Sequence, residues 1–199
     1  MTRVKICGIR TASAALAAAE AGADAVGFVF YPRSPRFVTP EQAAELARLL
    51  PPFLVRVGVF VNPPVELVER VADRVGLDLV QLHGDEPPEV CARIRHRVVK
   101  AFRVDGPEVL RQIRAYPVSA VLLDAHVPGR YGGTGWCFDW SLARQVDRPV
   151  ILSGGLTPEN VAEAIRQARP YAVDVSSGVE TGGEKDPRKI AAFVRAVRQ

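Results

Sequence analysis

The 199-residue sequence lacks several features that mark particular classes of protein. Its three cysteines, Cys7, Cys91 and Cys137, are too few and too scattered for a disulfide framework or a zinc cluster, so a reducing cytoplasm is the simplest location. The longest apolar runs are too short to cross a bilayer and no N-terminal signal pattern is present, so we expect no membrane association. Only two asparagines accompany 16 prolines, a bias that suits a thermophile or a GC-rich genome.

Charge is also limited. The net charge is +4, from 26 Lys and Arg against 22 Asp and Glu, and its sources are spread along the chain. The arginines between residues 93 and 97 fit a solvated helix face, and no aromatic residues interleave with basic ones as in single-strand binders. We therefore expect no nucleic-acid partner, whereas an anionic metabolite suits the modest positive balance. Apolar residues make up 48% of the chain, enough for a folded core.

Eight short segments are apolar at consecutive positions, which is the pattern of strands covered on both faces. They are Val4–Cys7, Ala25–Phe30, Leu54–Val61, Leu79–Leu82, Val98–Phe102, Ala120–Leu123, Val150–Leu152 and Ala172–Val175. Helical patterns alternate with them, at Ala12–Ala21, Glu41–Leu50, Val65–Val75, Pro88–Arg95, Pro107–Ala115, Ser141–Val146, Pro158–Gln167 and Arg188–Arg198. Strict alternation of strands and helices predicts parallel pairing with crossover helices.

The alternation predicts an α/β fold, a single compact (β/α)8 TIM barrel over residues 1–199 with eight parallel strands in a closed sheet. The alternative is a doubly wound open sheet. Against it, the first turn, Gly8-Ile9-Arg10-Thr11, lacks the Gly-x-Gly-x-x-Gly sequence of dinucleotide-binding sheets. Glycine-containing loops instead follow the seventh and eighth strands, where barrels commonly bind phosphate, and this favours the barrel.

Active sites of such barrels lie at the carboxyl ends of the strands. The polar residues predicted there are Cys7, Arg36, Asn62, His83, Arg103, Asp124, Ser153 and Asp174. Cys7 is either a small buried apolar residue or a thiolate that acts as base or nucleophile. The second role needs a lowered thiol pKa, from a helix N-terminus or from a cation such as Lys5 or Arg36. We interpret Cys91 as helical packing and Cys137 as loop or core.

Three other strand-end residues leave alternatives open. Asp124 follows three apolar residues and either holds the next loop, as a cap or salt bridge, or is a carboxylic acid that donates a proton. Asp174 either anchors the barrel or binds substrate hydroxyls. His83 invites a metal role, but three separated histidines without a second ligand at metal spacing predict no metal site. We expect His83 to form a hydrogen bond at the barrel mouth.

Two glycine-containing loops predict a phosphate site. Ser153-Gly154-Gly155 and Ser176-Ser177-Gly178 follow the last two strands, and glycines let backbone N–H groups approach a phosphate. Either motif alone is weak because Gly-Gly turns are common, but both together at neighbouring strand ends are more specific. The Tyr-Gly-Gly-Thr-Gly sequence of residues 131–135 predicts a mobile lid or an ordinary flexible loop.

Together these motifs resemble the phosphoribosylanthranilate isomerase family of tryptophan biosynthesis over essentially the whole chain. The resemblance rests on Lys5–Gly8, Gly58–Asn62, Gln81–Glu86, Leu123-Asp124, Gly132–Gly135 with Phe138–Trp140, Ser153–Leu156 and Asp174–Glu180. Ser153 departs from the family, which more often has alanine before Gly-Gly. The resemblance implies an intramolecular oxidoreductase that carries out an Amadori rearrangement of a small phosphorylated aminoaldose. That reaction uses one acid and one base and needs no metal or organic cofactor.

The resemblance also implies a role for each site residue. Cys7 is expected to be the general base and Asp124 the general acid. Arg36 should bind the anthranilate carboxylate, His83 should contact the substrate, and Asp174 should meet the sugar or the anthranilate amine. The phosphate should lie on Gly154, Gly155, Ser176, Ser177 and Gly178. The family includes monomers and homodimers, and a homodimer is favoured if the source is thermophilic.

Three other functions compete with this interpretation. The aminoaldose isomerase of histidine biosynthesis also performs an Amadori rearrangement on a phosphate-binding barrel, but it has an aspartate where Cys7 stands. A phosphate-barrel lyase or synthase would need a Lys or Glu near the mouth in a role that the sequence does not provide. A barrel that binds a phosphometabolite without turnover has the same fold, but the presence of both Cys7 and Asp124 argues against it.

Overall fold

The computed structural model describes residues 1–125 and 139–199, and every structural statement below concerns these residues. Eight parallel strands pair in sequence order, and the first pairs with the eighth to close a barrel. They are β1 Arg3–Cys7, β2 Ala25–Val29, β3 Val55–Phe60, β4 Leu79–Leu82, β5 Val98–Val104, β6 Ala120–Ala125, β7 Val150–Leu152 and β8 Ala172–Val175. The predicted (β/α)8 fold class is confirmed.

Helices cross between consecutive strands and cover the outside of the barrel. They are α1 Ala12–Glu20, α2 Pro40–Arg48, α3 Val65–Val75, α4 Pro88–Arg93, α5 Val109–Arg114, α6 Val161–Ala168 and α7 Pro187–Arg198. Between β6 and β7, the segment Trp140–Gln145 is a 3₁₀ helix where the sequence predicted a helix at Ser141–Val146. The main hydrophobic core lies between the strands and this outer layer. A smaller cluster on β5–β8 consists of Val99, Ala101, Ala120, Leu122, Ile151 and Ala172.

Local sequence signals set the ends of several helices. The Thr39 side chain accepts a hydrogen bond from the backbone N–H of Gln42, whose side chain in turn accepts one from the backbone N–H of Thr39, so a capping box starts α2. Gly76 ends α3 in the left-handed conformation, with φ of 70°. The start predicted at Thr157-Pro158 is too early, because α6 begins at Val161 after a turn.

A short hairpin between β8 and α7 is absent from the predicted elements. Strands β9 Glu180–Thr181 and β10 Glu184–Lys185 pair antiparallel through Gly182 and Gly183, which have φ of 60° and 84°. Two central residues with positive φ are what a tight type I′ hairpin turn requires, and Gly-Gly satisfies this. The dipeptide was therefore a usable signal, and it matters because β9 and β10 bring two charged residues to the barrel mouth.

Candidate active site

A cavity opens at the carboxyl ends of the strands. Its lining residues are Cys7, Val29, Tyr31, Ser34, Arg36, Val59, Val61, Gln81, His83, Asp124, Ser153, Asp174 and Ser176. The barrel thus brings together six of the eight polar residues predicted at strand ends. The other two, Asn62 and Arg103, lie outside this lining; Asn62 accepts a hydrogen bond from the backbone N–H of Asp85, and Arg103 pairs with the Asp85 carboxylate.

Cys7 lies at the end of β1 and is 8% exposed. A Cβ built on Gly27 of β2 would come within 2.9 Å of the Cys7 Sγ and 3.2 Å of the Lys5 Cε, so the glycine leaves space in which the thiol and the lysine stem lie side by side. Burial raises the pKa of the Cys7 thiol, and the Asp174 charge adds to this, while the cations Lys5 and Lys185 lower it. Lys5, one of the cations considered from the sequence, does lie near the thiol, but burial outweighs Lys5 and Lys185 and the net shift of the Cys7 pKa is upward.

Asp174 is buried at the end of β8 and forms an ion pair with Lys5. The Lys5 Nζ lies 2.8 Å from Asp174 Oδ1, and the Ser153 hydroxyl donates to Asp174 Oδ2 at 3.4 Å. Burial lowers the pKa of Lys5, but the combined effect of Asp174 and Cys7 raises it by more, so the net shift is upward. Of the two roles considered for Asp174, this contact supports the anchor, although the side chain also lines the cavity.

Arg36, in the loop after β2, is paired with a carboxylate of this chain. Its Nε and Nη2 donate to the two oxygens of Glu180 at 2.7 Å each, and these bonds raise the pKa of Arg36. Gly8, with φ of 83°, lies against the arginine stem, since a Cβ there would come within 2.5 Å of Arg36 Cδ. From the sequence, the Arg36 guanidinium was expected to bind a substrate carboxylate. Its contact with Glu180 was not predicted.

Lys185, on β10, is a second site residue that the sequence analysis did not single out. Its Nζ donates to Glu180 Oε1 at 2.6 Å and to the backbone oxygen of Ser176 at 3.0 Å. Burial lowers the pKa of Lys185 more than the Glu180 charge raises it. Glu180 therefore connects Arg36 on one side of the mouth with a buried lysine beside the loop after β8.

Asp124, at the carboxyl end of β6, faces the polar side chains of His83 and Gln81. His83 Nε2 lies 3.1 Å from Asp124 Oδ2, and Gln81 Nε2 lies 2.9 Å from His83 Nδ1. Within residues 1–125 and 139–199, neither Asp124 Oδ1 nor Gln81 Oε1 has a hydrogen-bond partner, although both atoms are buried. The hydrogen bond expected from His83 at the mouth is thus to Asp124. Gln81 was missed as a site residue, although a glutamine inside the apolar segment Leu79–Leu82 was a signal.

The two predicted phosphate loops lie against each other. Gly154 and Gly155 have φ of 88° and 65°, a conformation that glycine adopts without strain. A Cβ on Gly178 would come within 1.9 Å of the Leu156 carbonyl oxygen, so the loop after β8 touches the loop after β7 at a position where only glycine fits. The Ser176 hydroxyl donates to the Cys7 backbone oxygen at 3.2 Å, which ties this pair of loops to the end of β1.

Some predictions concern other parts of the chain. Cys91 is buried within α4 and belongs to the main core, and burial raises its thiol pKa to about 11, in agreement with a packing role. Cys137, Phe138 and the loop at residues 131–135 lie outside the described residues. Among the residues that the structure does describe, no helix has the length and apolar character needed to cross a membrane.

Comparison with known proteins identifies the family. A sequence model described as N-(5'-phosphoribosyl)anthranilate (PRA) isomerase matches residues 4–196. The chain belongs to this family. An N-(5'-phosphoribosyl)anthranilate isomerase from Geobacter sulfurreducens is 55% identical over 201 residues, which cover 100% of this chain and 99% of the relative.

Solved structures agree. The phosphoribosyl anthranilate isomerase of Thermotoga maritima superposes with a TM-score of 0.92 at 47% identity, covering 100% of this chain and 99% of that one. A second structure of such an isomerase, in complex with reduced 1-(o-carboxyphenylamino)-1-deoxyribulose 5-phosphate, gives a TM-score of 0.88 at 46% identity and the same coverage. The family resemblance read from the sequence motifs is confirmed.

Proposed function

We propose that this chain is the isomerase that converts N-(5-phosphoribosyl)anthranilate into 1-(2-carboxyphenylamino)-1-deoxyribulose 5-phosphate in tryptophan biosynthesis. The observation that carries the proposal is the placement of Cys7 and Asp124 on β1 and β6, facing one cavity whose β7 and β8 sides bear the two glycine-containing loops. A base, an acid and an anion-binding edge around one cavity are what an Amadori rearrangement of a phosphorylated aminoaldose requires.

Asp124 is the proposed general acid for ring opening. Its protonated carboxyl gives a proton to the furanose ring oxygen, the bond between that oxygen and C1 breaks, and the nitrogen lone pair forms a protonated Schiff base with C1. The carboxyl is almost fully buried, so the proton transfer takes place away from bulk water. The hydrogen bond from His83 to Oδ2 strengthens as the carboxylate forms, which favours the transition state over the ground state.

Cys7 is the proposed general base for the second step. Its thiolate removes the C2 proton, the C2–H electron pair forms a C1–C2 double bond, and the iminium nitrogen is neutralised to an enolamine. Protonation of C1 and loss of the C2 hydroxyl proton then give the ketone. Because burial raises the Cys7 pKa, the thiolate is a minority form at neutral pH, and Lys5 and Lys185 increase its share. The positive charge of the iminium acts in the same direction.

Binding groups at the two ends of the cavity would hold the sugar between the acid and the base. Two of the five N–H groups of Arg36 bind Glu180, and we propose that others bind the anthranilate carboxylate. Asp174 would meet the sugar or the anthranilate amine, and His83 would lie against the substrate beside Asp124. The phosphate would bind at the adjoining loops, to Gly154, Gly155, Ser176, Ser177 and Gly178.

The test is loss of anthranilate-type fluorescence when the purified protein meets phosphoribosylanthranilate made in situ. We expect rapid loss with the unmodified protein and none above background with Cys7→Ala, because the base is gone. Cys91→Ala is the matched control, since Cys91 is also buried but lies in α4, and it should react like the unmodified protein. No loss with the unmodified protein would overturn the function, and rapid loss with Cys7→Ala would move the base elsewhere.

We also propose that the protein is cytoplasmic and forms a homodimer. A phosphoribosylanthranilate isomerase from Thermotoga maritima is described as dimeric, and that relative is 44% identical over the whole chain. Light scattering in solution should give the mass of two chains, and the mass of one chain would contradict the dimer.

A further inference from the structure

Three side chains that line the cavity form a continuous hydrogen-bonded row, Gln81, His83 and Asp124. They lie on β4, just after β4, and on β6. The distance from His83 Nε2 to Asp124 Oδ2 is 3.1 Å, and that from Gln81 Nε2 to His83 Nδ1 is 2.9 Å. Both are within the ordinary range for hydrogen bonds. Gln81 and Asp124 are almost fully buried, so water does not replace these contacts.

The chemistry of the amide decides which imidazole nitrogen carries the proton. The atom of Gln81 that meets His83 Nδ1 is Nε2, and an amide nitrogen only donates hydrogen bonds. In this orientation of the Gln81 amide Nδ1 is the acceptor, so the proton of a singly protonated ring lies on Nε2. Nε2–H then points at Asp124 Oδ2 and donates to it.

The direction of the hydrogen bond from His83 to Asp124 determines which oxygen of Asp124 carries its proton. Because Oδ2 accepts a hydrogen bond from His83, the proton of the Asp124 carboxyl belongs on Oδ1. Across residues 1–125 and 139–199, Oδ1 has no hydrogen-bond partner, and it is buried in a residue that lines the cavity. An unpartnered buried oxygen calls for a partner, and the reacting oxygen of the substrate would be one.

We propose that Gln81 is a positioning residue, which fixes the Nε2–H tautomer of His83 and thereby makes Oδ1 the oxygen of Asp124 that carries the transferable proton. The inference rests on the proposed function, since it concerns the proton that opens the sugar ring. The opposite tautomer would bring a bare Nε2 to Asp124. The carboxyl proton would then be held on Oδ2 by a hydrogen bond to the imidazole.

The tautomer can be measured without turnover. In the ¹⁵N-labelled full-length protein, long-range ¹H–¹⁵N correlations distinguish the two imidazole nitrogens, and His83→Asn identifies which of the three histidine patterns belongs to His83. We expect His83 to be protonated at Nε2 in the unmodified protein. In Gln81→Met, which has nearly the same volume but no amide, that pattern should be lost or averaged.

The kinetic expectation is specific to the chemical step. Gln81→Met should lower kcat about tenfold, an effect of the size of one hydrogen bond, and leave KM nearly unchanged. Gln81→Glu should lower kcat further, because its carboxylate accepts a hydrogen bond and favours a proton on Nδ1. Gln167→Met, on the exposed face of α6, is the matched control for the substitution and should change neither constant.

Two results would overturn the inference. One is a His83 protonated at Nδ1 alone in an active, unmodified enzyme; the other is an unchanged kcat in Gln81→Met and Gln81→Glu. An Nε2–H tautomer in a protein that does not turn over phosphoribosylanthranilate would instead overturn the proposed function. Because the tautomer is read from the spectrum and the activity from fluorescence, the two failures are distinguishable.

Discussion

The barrel contains two buried lysine–carboxylate pairs at different places, Lys5 with Asp174 and Lys100 with Glu86. In the first pair, Asp174 lines the cavity and Lys5 lies beside the Cys7 thiol. The second lies outside that lining, where Lys100 Nζ also donates to the backbone oxygen of Gly84 at 2.9 Å. The same pair of residue types therefore has two uses, and burial of an ion pair alone does not indicate function.

The second pair has a structural role. Glu86 accepts hydrogen bonds from the backbone N–H groups of Asn62 and Gly84, and Lys100 lies on β5, so the pair holds together the chain after β3, β4 and β5. The first pair also joins strands, β1 to β8. Each lysine also lowers the pKa of a nearby thiol, and the difference lies in where that thiol is. Lys5 acts on Cys7, which lines the cavity, whereas Lys100 acts on Cys91, which packs in the core.

Matched lysine substitutions give the largest expected contrast. Lys5→Met and Lys100→Met each leave a buried carboxylate unpaired, so both should lower the free energy of unfolding by about 3–5 kcal/mol. Only Lys5→Met should also lower kcat, by about tenfold or more, because it removes a cation that lowers the Cys7 pKa. Steady-state kinetics and denaturant unfolding of both variants measure the two effects separately.

The same variants test the sign of the pKa effect. Loss of Lys5 should raise the Cys7 pKa further, so alkylation of Cys7 by iodoacetamide at a fixed neutral pH should be slower than in the unmodified protein. Lys100→Met should leave that rate unchanged. If either variant unfolds, Lys5→Met/Asp174→Asn and Lys100→Met/Glu86→Gln remove both charges of a pair and allow the comparison of stability alone, because Asp174 also raises the Cys7 pKa and is a proposed substrate contact. Equal losses of kcat and equal alkylation rates would show that Lys5 has only a structural role.

A smaller contrast concerns two bidentate arginine pairs. Arg36 binds Glu180 within the cavity, whereas Arg56 binds Asp78 at 2.9 Å and 3.0 Å on the surface. Arg36→Met should mainly raise KM, by about tenfold, since it removes a charged contact to the substrate carboxylate and leaves the acid and the base in place. Arg56→Met should leave KM unchanged. An unchanged KM in Arg36→Met would remove Arg36 from carboxylate binding.

The features that could be predicted from the sequence are those that depend on residues close together in the chain. Consecutive apolar positions and capping residues gave the strands, most helices and the barrel, and strand ends gave Cys7 and Asp124. The contact between Arg36 and Glu180 spans 144 positions in the chain and has no local signal. The direction of the shift in the Cys7 pKa depends on whether burial outweighs the effect of two cations, and only the packed structure shows this. Two missed features did have a local signal. Gln81 is a polar residue in an apolar strand, and Gly182-Gly183 is a dipeptide typical of a tight hairpin turn.

The most direct test of the account is the rate of a single turnover with substrate deuterated at C2 and enzyme in excess. If the Cys7 thiolate removes the C2 proton, the deuterated substrate should react more slowly than the ordinary one, and Cys7→Ala should convert neither. Equal rates for the two substrates, together with full conversion by Cys7→Ala, would contradict the assignment of Cys7 as the base.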